Sequence, residues 1–139
     1  MNYELNGKLP HDVKEGLDRL VRETKDCSNF LLNICLSYGS RGEIINACRD
    51  IAKQVRDDGL SLDDIDERKI SENLLTGHCQ DPDVVIRTSG ECRLSNFLLW
   101  QLAYSEMFFI TKQWPAIQKE DLLEVIRAYA TKRKRRYGK

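Results

Sequence analysis

Arginine side chains bracket a polar turn in the run Arg87-Thr88-Ser89-Gly90-Glu91-Cys92-Arg93-Leu94-Ser95. Guanidinium stays charged at any working pH. It also meets phosphate oxygens through two parallel hydrogen bonds. Arg87, Arg93 and the Ser95 hydroxyl therefore suit a phosphate or diphosphate group. The competing reading is a surface ion pair between one arginine and Asp81, Asp83 or Glu91, the usual state of an exposed arginine. The setting favours the anion. Val84-Val85-Ile86 ahead of the turn reads as a buried strand, and the apolar stretch 97–102 after it reads as a short helix. A strand, a turn and a helix in that order present backbone N–H groups and the positive end of a helix dipole to a ligand.

Other elements must hold that turn. Pro10 followed by His11-Asp12-Val13-Lys14 starts a helix, with Val13, Leu17, Leu20 and Val21 at helical spacing. Residues 30–36 are nearly all apolar and predict a strand buried on both faces, with Cys35 in the core. Ser40 and Glu43 have capping-box spacing and predict a helix over about 42–57 that stops near Gly59. Two short helical pieces fill 61–75, and a further strand covers 107–110. Trp114-Pro115 turns the chain into an amphipathic helix over 120–134, with Leu122, Leu123, Val125, Ile126 and Tyr129 toward its buried side. Strands alternating with helices give an α/β fold, a parallel sheet flanked by helices, in one domain over 1–139. Ligands of such sheets bind beyond the carboxyl ends of the strands. The turn at Arg87 and the run Ser37-Tyr38-Gly39-Ser40-Arg41 both fall there, so Arg41 is either a second anion contact at a helix start or a solvated first-turn residue.

Composition narrows the function classes. The chain has 139 residues, 22 Lys+Arg against 22 Asp+Glu, and a formal net charge of zero. Overall charge thus selects neither nucleic acid nor an acidic membrane as partner. No apolar run approaches a membrane span, and the opening residues lack the basic and apolar parts of a secretory signal. Five cysteines, an odd number with no C-x-x-C pair, argue for free thiols over a disulfide framework or structural zinc. Cys92, inside the turn, is a small solvent-facing residue or a reactive one, the former favoured. His11 and His78 are expected on the surface. Ser89 and Ser95 have no sequence-visible His/Asp pair, so serine hydrolysis has no case. The basic run 132–139 suits a solvated helix end or a weak nucleic-acid or lipid patch.

The stretch from Asp83 to Gln101, with Ala103-Tyr104-Ser105-Glu106 and Trp114-Pro115, resembles the later part of the cis-prenyltransferases, the family of undecaprenyl and dehydrodolichyl diphosphate synthases. The resemblance runs from about Leu5 to the C-terminus and implies a partial fold of that family without its N-terminal strands. In the family, arginines and a serine matching Arg87, Arg93 and Ser95 hold the diphosphate of isopentenyl diphosphate. A carboxylate matching Glu106 helps bind Mg²⁺. A terminal Arg-x-Gly, similar to Arg136-Tyr137-Gly138, reaches across a dimer to the partner's substrate. Tyr38-Gly39-Ser40-Arg41 resembles a family run near the active site. Phe97, Trp100, Tyr104, Phe108, Phe109 and Trp114 would lie in the core or at the subunit contact. The family's opening Asp-Gly-Asn-x-Arg motif, which carries the catalytic aspartate, has no counterpart; Asp58-Gly59 shares only two residues with it and sits in a loop after a helix. No catalytic residue is therefore assigned.

By resemblance the activity is prenyl transfer, condensing isopentenyl diphosphate with an allylic diphosphate such as farnesyl diphosphate. The product would be a long-chain polyprenyl diphosphate for a glycosyl carrier lipid, as in dolichol biosynthesis. The resemblance also implies a homodimer or a heterodimer with another family member. The expected setting is cytoplasmic or the cytosolic face of a membrane, the endoplasmic reticulum in a eukaryote, with membrane contact through the product and no nucleic-acid partner. As the C-terminal part of such an enzyme, the chain is expected to be inactive alone. The alternative is a non-catalytic accessory subunit, which lacks the aspartate and keeps the terminal Arg-x-Gly.

Overall fold

The computed structural model describes residues 10–132. Where the sequence suggests one domain, the contacts form two compact units, Met1–Tyr38 and Gly39–Lys139.

In the first unit, α1 (His11–Thr24) starts directly after Pro10, as the proline and the apolar spacing predict. Its apolar stripe and the following segment line a groove of about 500 Å³, with Leu17, Leu20 and Val21 on one side and Phe30, Leu31 and Ile34 on the other. The strand expected over 30–36 does not form. Phe30 is 79% exposed, and Cys35 is exposed rather than in the core. A strand exists only through ladder hydrogen bonds to a neighbour. Among the described residues the sheet holds two strands, and neither lies in this segment. Neither the strand nor its burial is found: Phe30, Leu31 and Leu32 are all exposed, and without a ladder the segment stays coil.

The second unit contains α2 (Ser40–Asp57), a 3₁₀ turn (Leu62–Asp64), α3 (Glu67–Glu72), β1 (Val84–Arg87), β2 (Glu106–Phe109), a second 3₁₀ turn (Trp114–Ala116) and α4 (Lys119–Lys132). The strands pair in parallel with Val84 opposite Glu106 and Arg87 opposite Phe109. Ala47, Ile51, Leu74, Leu102 and Val125 form its buried apolar core. Of the expected α4 face only Val125 is buried, while Leu122 and Ile126 are exposed. Helix α2 ends as predicted. Gly59 takes φ +73°, the left-handed value that glycine adopts without strain. That turn lets the Asp58 and Leu60 N–H groups donate back to the Gln54 carbonyl at 3.0 and 3.2 Å.

The start of α2 departs from the expected capping box. Gly39, not Ser40, is the N-cap, and the two side chains reach far along the chain instead. Ser40 is fully buried, and its Oγ accepts the Leu99 N–H at 2.9 Å. Glu43 is 5% exposed. It accepts from the Leu75 N–H at 2.9 Å and from Gln101 Nε2 at 3.2 Å. Gln101 Nε2 also donates to Thr76 Oγ1 at 2.8 Å. A buried carboxylate is tolerated only when donors surround it. Here those donors bind α2 to two separate loops.

The helix expected over 97–102 is also absent. Ser95, Asn96 and Leu98 have φ of 51°, 63° and 44°, far from the helical value near −63°. The loop turns left-handed there and delivers its polar groups to α2. The Asn96 carbonyl accepts the Ser40 N–H at 2.8 Å, and Asn96 Oδ1 accepts the Arg41 N–H at 2.9 Å. Gly39 is required by the same contact, since a Cβ there would stand 2.7 Å from Asn96 Nδ2.

Two tests follow from this packing. Glu43→Ala should cost about 1–3 kcal/mol, because it removes the carboxylate that the Leu75 N–H and Gln101 Nε2 bond; urea denaturation at neutral pH measures it. The second concerns Asp121, whose carboxyl is held below the ordinary range by Lys112 first and then by the Gln118 N–H. Its stabilisation is present above the ordinary value and lost as pH falls through the depressed one. Lys112→Met should raise the Asp121 pKa toward about 3.9, read by carboxyl-carbon NMR. The stability gap between the two proteins should close as the solution is acidified through that range.

Candidate anion site

Strand β1 ends on Arg87, so the pleated strand carries this guanidinium to the carboxyl edge of the sheet. The backbone after it is pinned. Arg87 O accepts the Ile110 N–H at 2.8 Å, the Ser89 N–H donates to Lys112 O at 2.8 Å, and the Gly90 N–H donates to Ile110 O at 3.0 Å. Ser89 and Gly90 both take positive φ, 67° and 69°, which folds the turn over the end of β2. Lys112 is itself fixed, with Nζ 2.6 Å from Asp121 Oδ1. Asp121 Oδ2 accepts the Gln118 N–H at 2.8 Å beside the start of α4. The turn thus leans on the strand pair and on a helix start.

Arg87 and Ser95 come together, with Nη2 3.4 Å from Oγ. The Arg87 Nε–H is buried and meets no acceptor among the described residues. A buried charged donor without an acceptor is costly, and an anion seated on Arg87 would satisfy it. Arg93 is placed differently. Its Nη2 lies 2.5 Å from Glu91 Oε2, which is the surface ion pair weighed against the anion reading. Cys92 is exposed, as the simpler reading of it requires, with its thiol 3.7 Å from Gly90 O.

The helix dipole expected behind the turn is missing, since 97–102 is not helical. The start of α2 lies beside this loop, and its leading donors are used. Asn96 takes the Ser40 and Arg41 N–H groups, so the Arg41 backbone is not an anion contact, and its side chain is exposed. The cationic side chains of this turn are those of Arg87 and Arg93. Asn96 is the residue that sequence reasoning missed. Its signal was the Ser-Asn pair, two residues that tolerate left-handed turns.

Glu106 is not brought to Arg87. It opens β2 opposite Val84, whereas Arg87 closes β1 opposite Phe109. Three residues of strand separate the two positions, about 10 Å, and an odd offset puts them on opposite faces of the sheet. Within one copy, these residues do not fit a Mg²⁺ ion bridging Glu106 to a phosphate on Arg87. Among the described residues no group of three His, Cys, Asp or Glu side chains could hold a metal. Arg136 and Gly138 lie outside the described residues. Of the aromatic set, Trp100 Nε1 donates to Ser71 Oγ at 3.0 Å. Tyr104 and Trp114 are largely exposed. No helix of the described residues is long and apolar enough to cross a membrane.

Comparison with known proteins places the chain in a family. A family model described as putative undecaprenyl diphosphate synthase matches residues 4–138. An isoprenyl transferase of Listeria monocytogenes (strain F2365) is 44% identical over 138 residues, covering 99% of this chain and 54% of its own. A tritrans,polycis-undecaprenyl-diphosphate synthase of Pyrococcus abyssi, described as geranylgeranyl-diphosphate specific, is 44% identical over 94% of this chain and 49% of its own. The chain spans about half the length of these relatives. Among solved structures, lavandulyl diphosphate synthase from Lavandula x intermedia, in complex with dimethylallyl diphosphate, superposes with a TM-score of 0.82 at 33% identity. That match covers 95% of this chain and 55% of the other. A probable undecaprenyl diphosphate synthase from Campylobacter jejuni superposes at 0.70 with 32% identity, over 94% of this chain and 56% of the other.

Proposed function

Because this chain belongs to the undecaprenyl diphosphate synthase family, we propose that its turn at 87–95 binds the diphosphate of isopentenyl diphosphate in a cis-prenyltransferase reaction. The observation that carries the reading is Arg87, fixed at the end of β1 beside Ser95 with a buried N–H that no atom of the described residues accepts. Arg87 and Ser95 hold the diphosphate, and Arg93 adds a second guanidinium from the exposed side of the turn. Their task is orientation. With its diphosphate anchored, the double bond of isopentenyl diphosphate is directed at the allylic carbon as the allylic diphosphate departs, and the chain grows by one isoprene unit.

The reading assigns the departing diphosphate to a part of the enzyme with no counterpart in this sequence, since the Asp-Gly-Asn-x-Arg motif is missing. The chain alone therefore binds the homoallylic substrate and does not turn over. Magnesium would supply Lewis-acid chemistry to this reaction; within one copy Glu106 is not placed to hold it beside Arg87. The product would be a polyprenyl diphosphate that serves a glycosyl carrier lipid, at the cytosolic side of a membrane. A second copy or another family member is the partner this reading gives to the exposed Tyr104 and Trp114.

Calorimetric titration of the chain with isopentenyl diphosphate tests the binding. Saturable binding is expected, weakened about tenfold or more by Arg87→Ala, since a charge-assisted pair is lost. Heat-silent titrations, or an Arg87→Ala protein that binds as well as the parent, would refute it. Incubation with farnesyl diphosphate, labelled isopentenyl diphosphate and Mg²⁺ should give no longer prenyl product. Elongation by the chain alone would show that the missing motif is not needed. Product that arises only when a full-length family member is added, above that member's own rate, would make it an accessory subunit.

A further inference from the structure

Arg93 already has an anion. Its Nη2 lies against Glu91 Oε2 at 2.5 Å, yet that oxygen is closed off from water and lacks an aligned hydrogen bond. Charge attraction without alignment compensates a desolvated carboxylate only in part. The Arg93 side chain remains 69% exposed, against 34% for Glu91. The pair is therefore close but loosely made, and its cationic half faces solvent. A diphosphate offers several charged oxygens and can meet a guanidinium through two parallel bonds, which the Glu91 contact does not provide.

The backbone on the near side of the pair cannot shift to follow a ligand, because the Ser89 and Gly90 N–H groups are tied to Lys112 O and Ile110 O. Exchange of partners must therefore occur in the side chains. Arg93 is the one free to swing, being the more exposed. The geometry points to Glu91 as a positioning residue that holds Arg93 in the turn and competes with diphosphate for it, so that the Glu91 charge sets how tightly the ligand binds. This rests on the reading of the turn as a diphosphate site. Ligand binding trades one ion pair for another, and the carboxylate left behind opposes the incoming charge. Removing that charge while keeping the side chain's shape strengthens binding; shortening the side chain by one methylene, which keeps the charge, strengthens it less.

The test is calorimetric titration of the 139-residue chain with inorganic pyrophosphate at fixed low salt. Parent, Glu91→Gln, Glu91→Asp, Arg93→Ala and the Glu91→Gln/Arg93→Ala double variant are compared, each checked for an unchanged melting profile. Glu91→Gln should bind about three- to fivefold tighter, the scale of a partly exposed ion pair. Glu91→Asp, which keeps the charge, should gain less than Glu91→Gln. In the Arg93→Ala background the gain from Glu91→Gln should shrink, because Arg93 is no longer there to be released. If the parent binds but Glu91→Gln binds equally or more weakly, Glu91 is not a competitor, and the inference falls while the site stands. An undiminished gain in the Arg93→Ala background also overturns it, since Glu91 would then act as bulk charge. If neither the parent nor Glu91→Gln takes pyrophosphate, the diphosphate reading falls and this inference with it.

Discussion

The first turn of α2 is finished by residues more than fifty positions away, and the second unit is organised around that fact. A helix start leaves backbone N–H groups unsatisfied. The Asn96 carbonyl and side chain take those of Ser40 and Arg41. Ser40 in return gives its Oγ to the Leu99 N–H, and Glu43 binds Leu75 and Gln101 one helical turn on. These bonds lie at 0–5% exposure around Ser40, Glu43 and Gln101, where unpaired polar groups are most costly. They fix the loop that follows the anion turn, and so fix Ser95 beside Arg87.

The same constraint explains the form of the candidate site. A helix beginning at 97 would have offered its own amides and dipole to a ligand. The loop instead bends through left-handed residues, at a cost of about 1 kcal/mol or more for Leu98, and spends its polar atoms on α2. The cationic groups of the turn are arginine side chains. One of these, Arg87, is anchored with a donor to spare, and the other, Arg93, is engaged by Glu91. A site built from side chains can be tuned by a neighbouring carboxylate more readily than one built from amides, because a side chain can rotate away from a competitor.

Parallel pairing separates two residues that the family resemblance associates with one reaction. Arg87 and Glu106 are at opposite ends and on opposite faces of the β1–β2 ladder. Their relation in the sequence gives no hint of this, since nineteen positions could return the chain to either edge. Register decides it, and register is a property of the pair of strands.

Much was legible in the residues themselves. Helices α1, α2 and α4 follow from apolar spacing and from Pro10 and Gly59, because helical hydrogen bonds are local. The short strands at Val84 and Glu106 follow from apolar runs between polar turns, and the placement of Arg87 at a strand's carboxyl end follows from their order. The run from Arg87 to Ser95 was enough to propose an anion as ligand, since guanidinium chemistry does not depend on the fold. Other features required tertiary contacts. Residues 30–36 read as a strand, but a ladder needs a neighbour that composition cannot supply. Ser40 and Glu43 read as a local cap, but both side chains were claimed by distant donors. The stretch 97–102 read as a helix, but Asn96 was drawn to the start of α2. Sequence alone determined which local elements could form and what charge they carry. Long-range hydrogen bonding decided which of them did form and which side chains meet, because a buried polar group bonds to whatever the folded chain brings within reach.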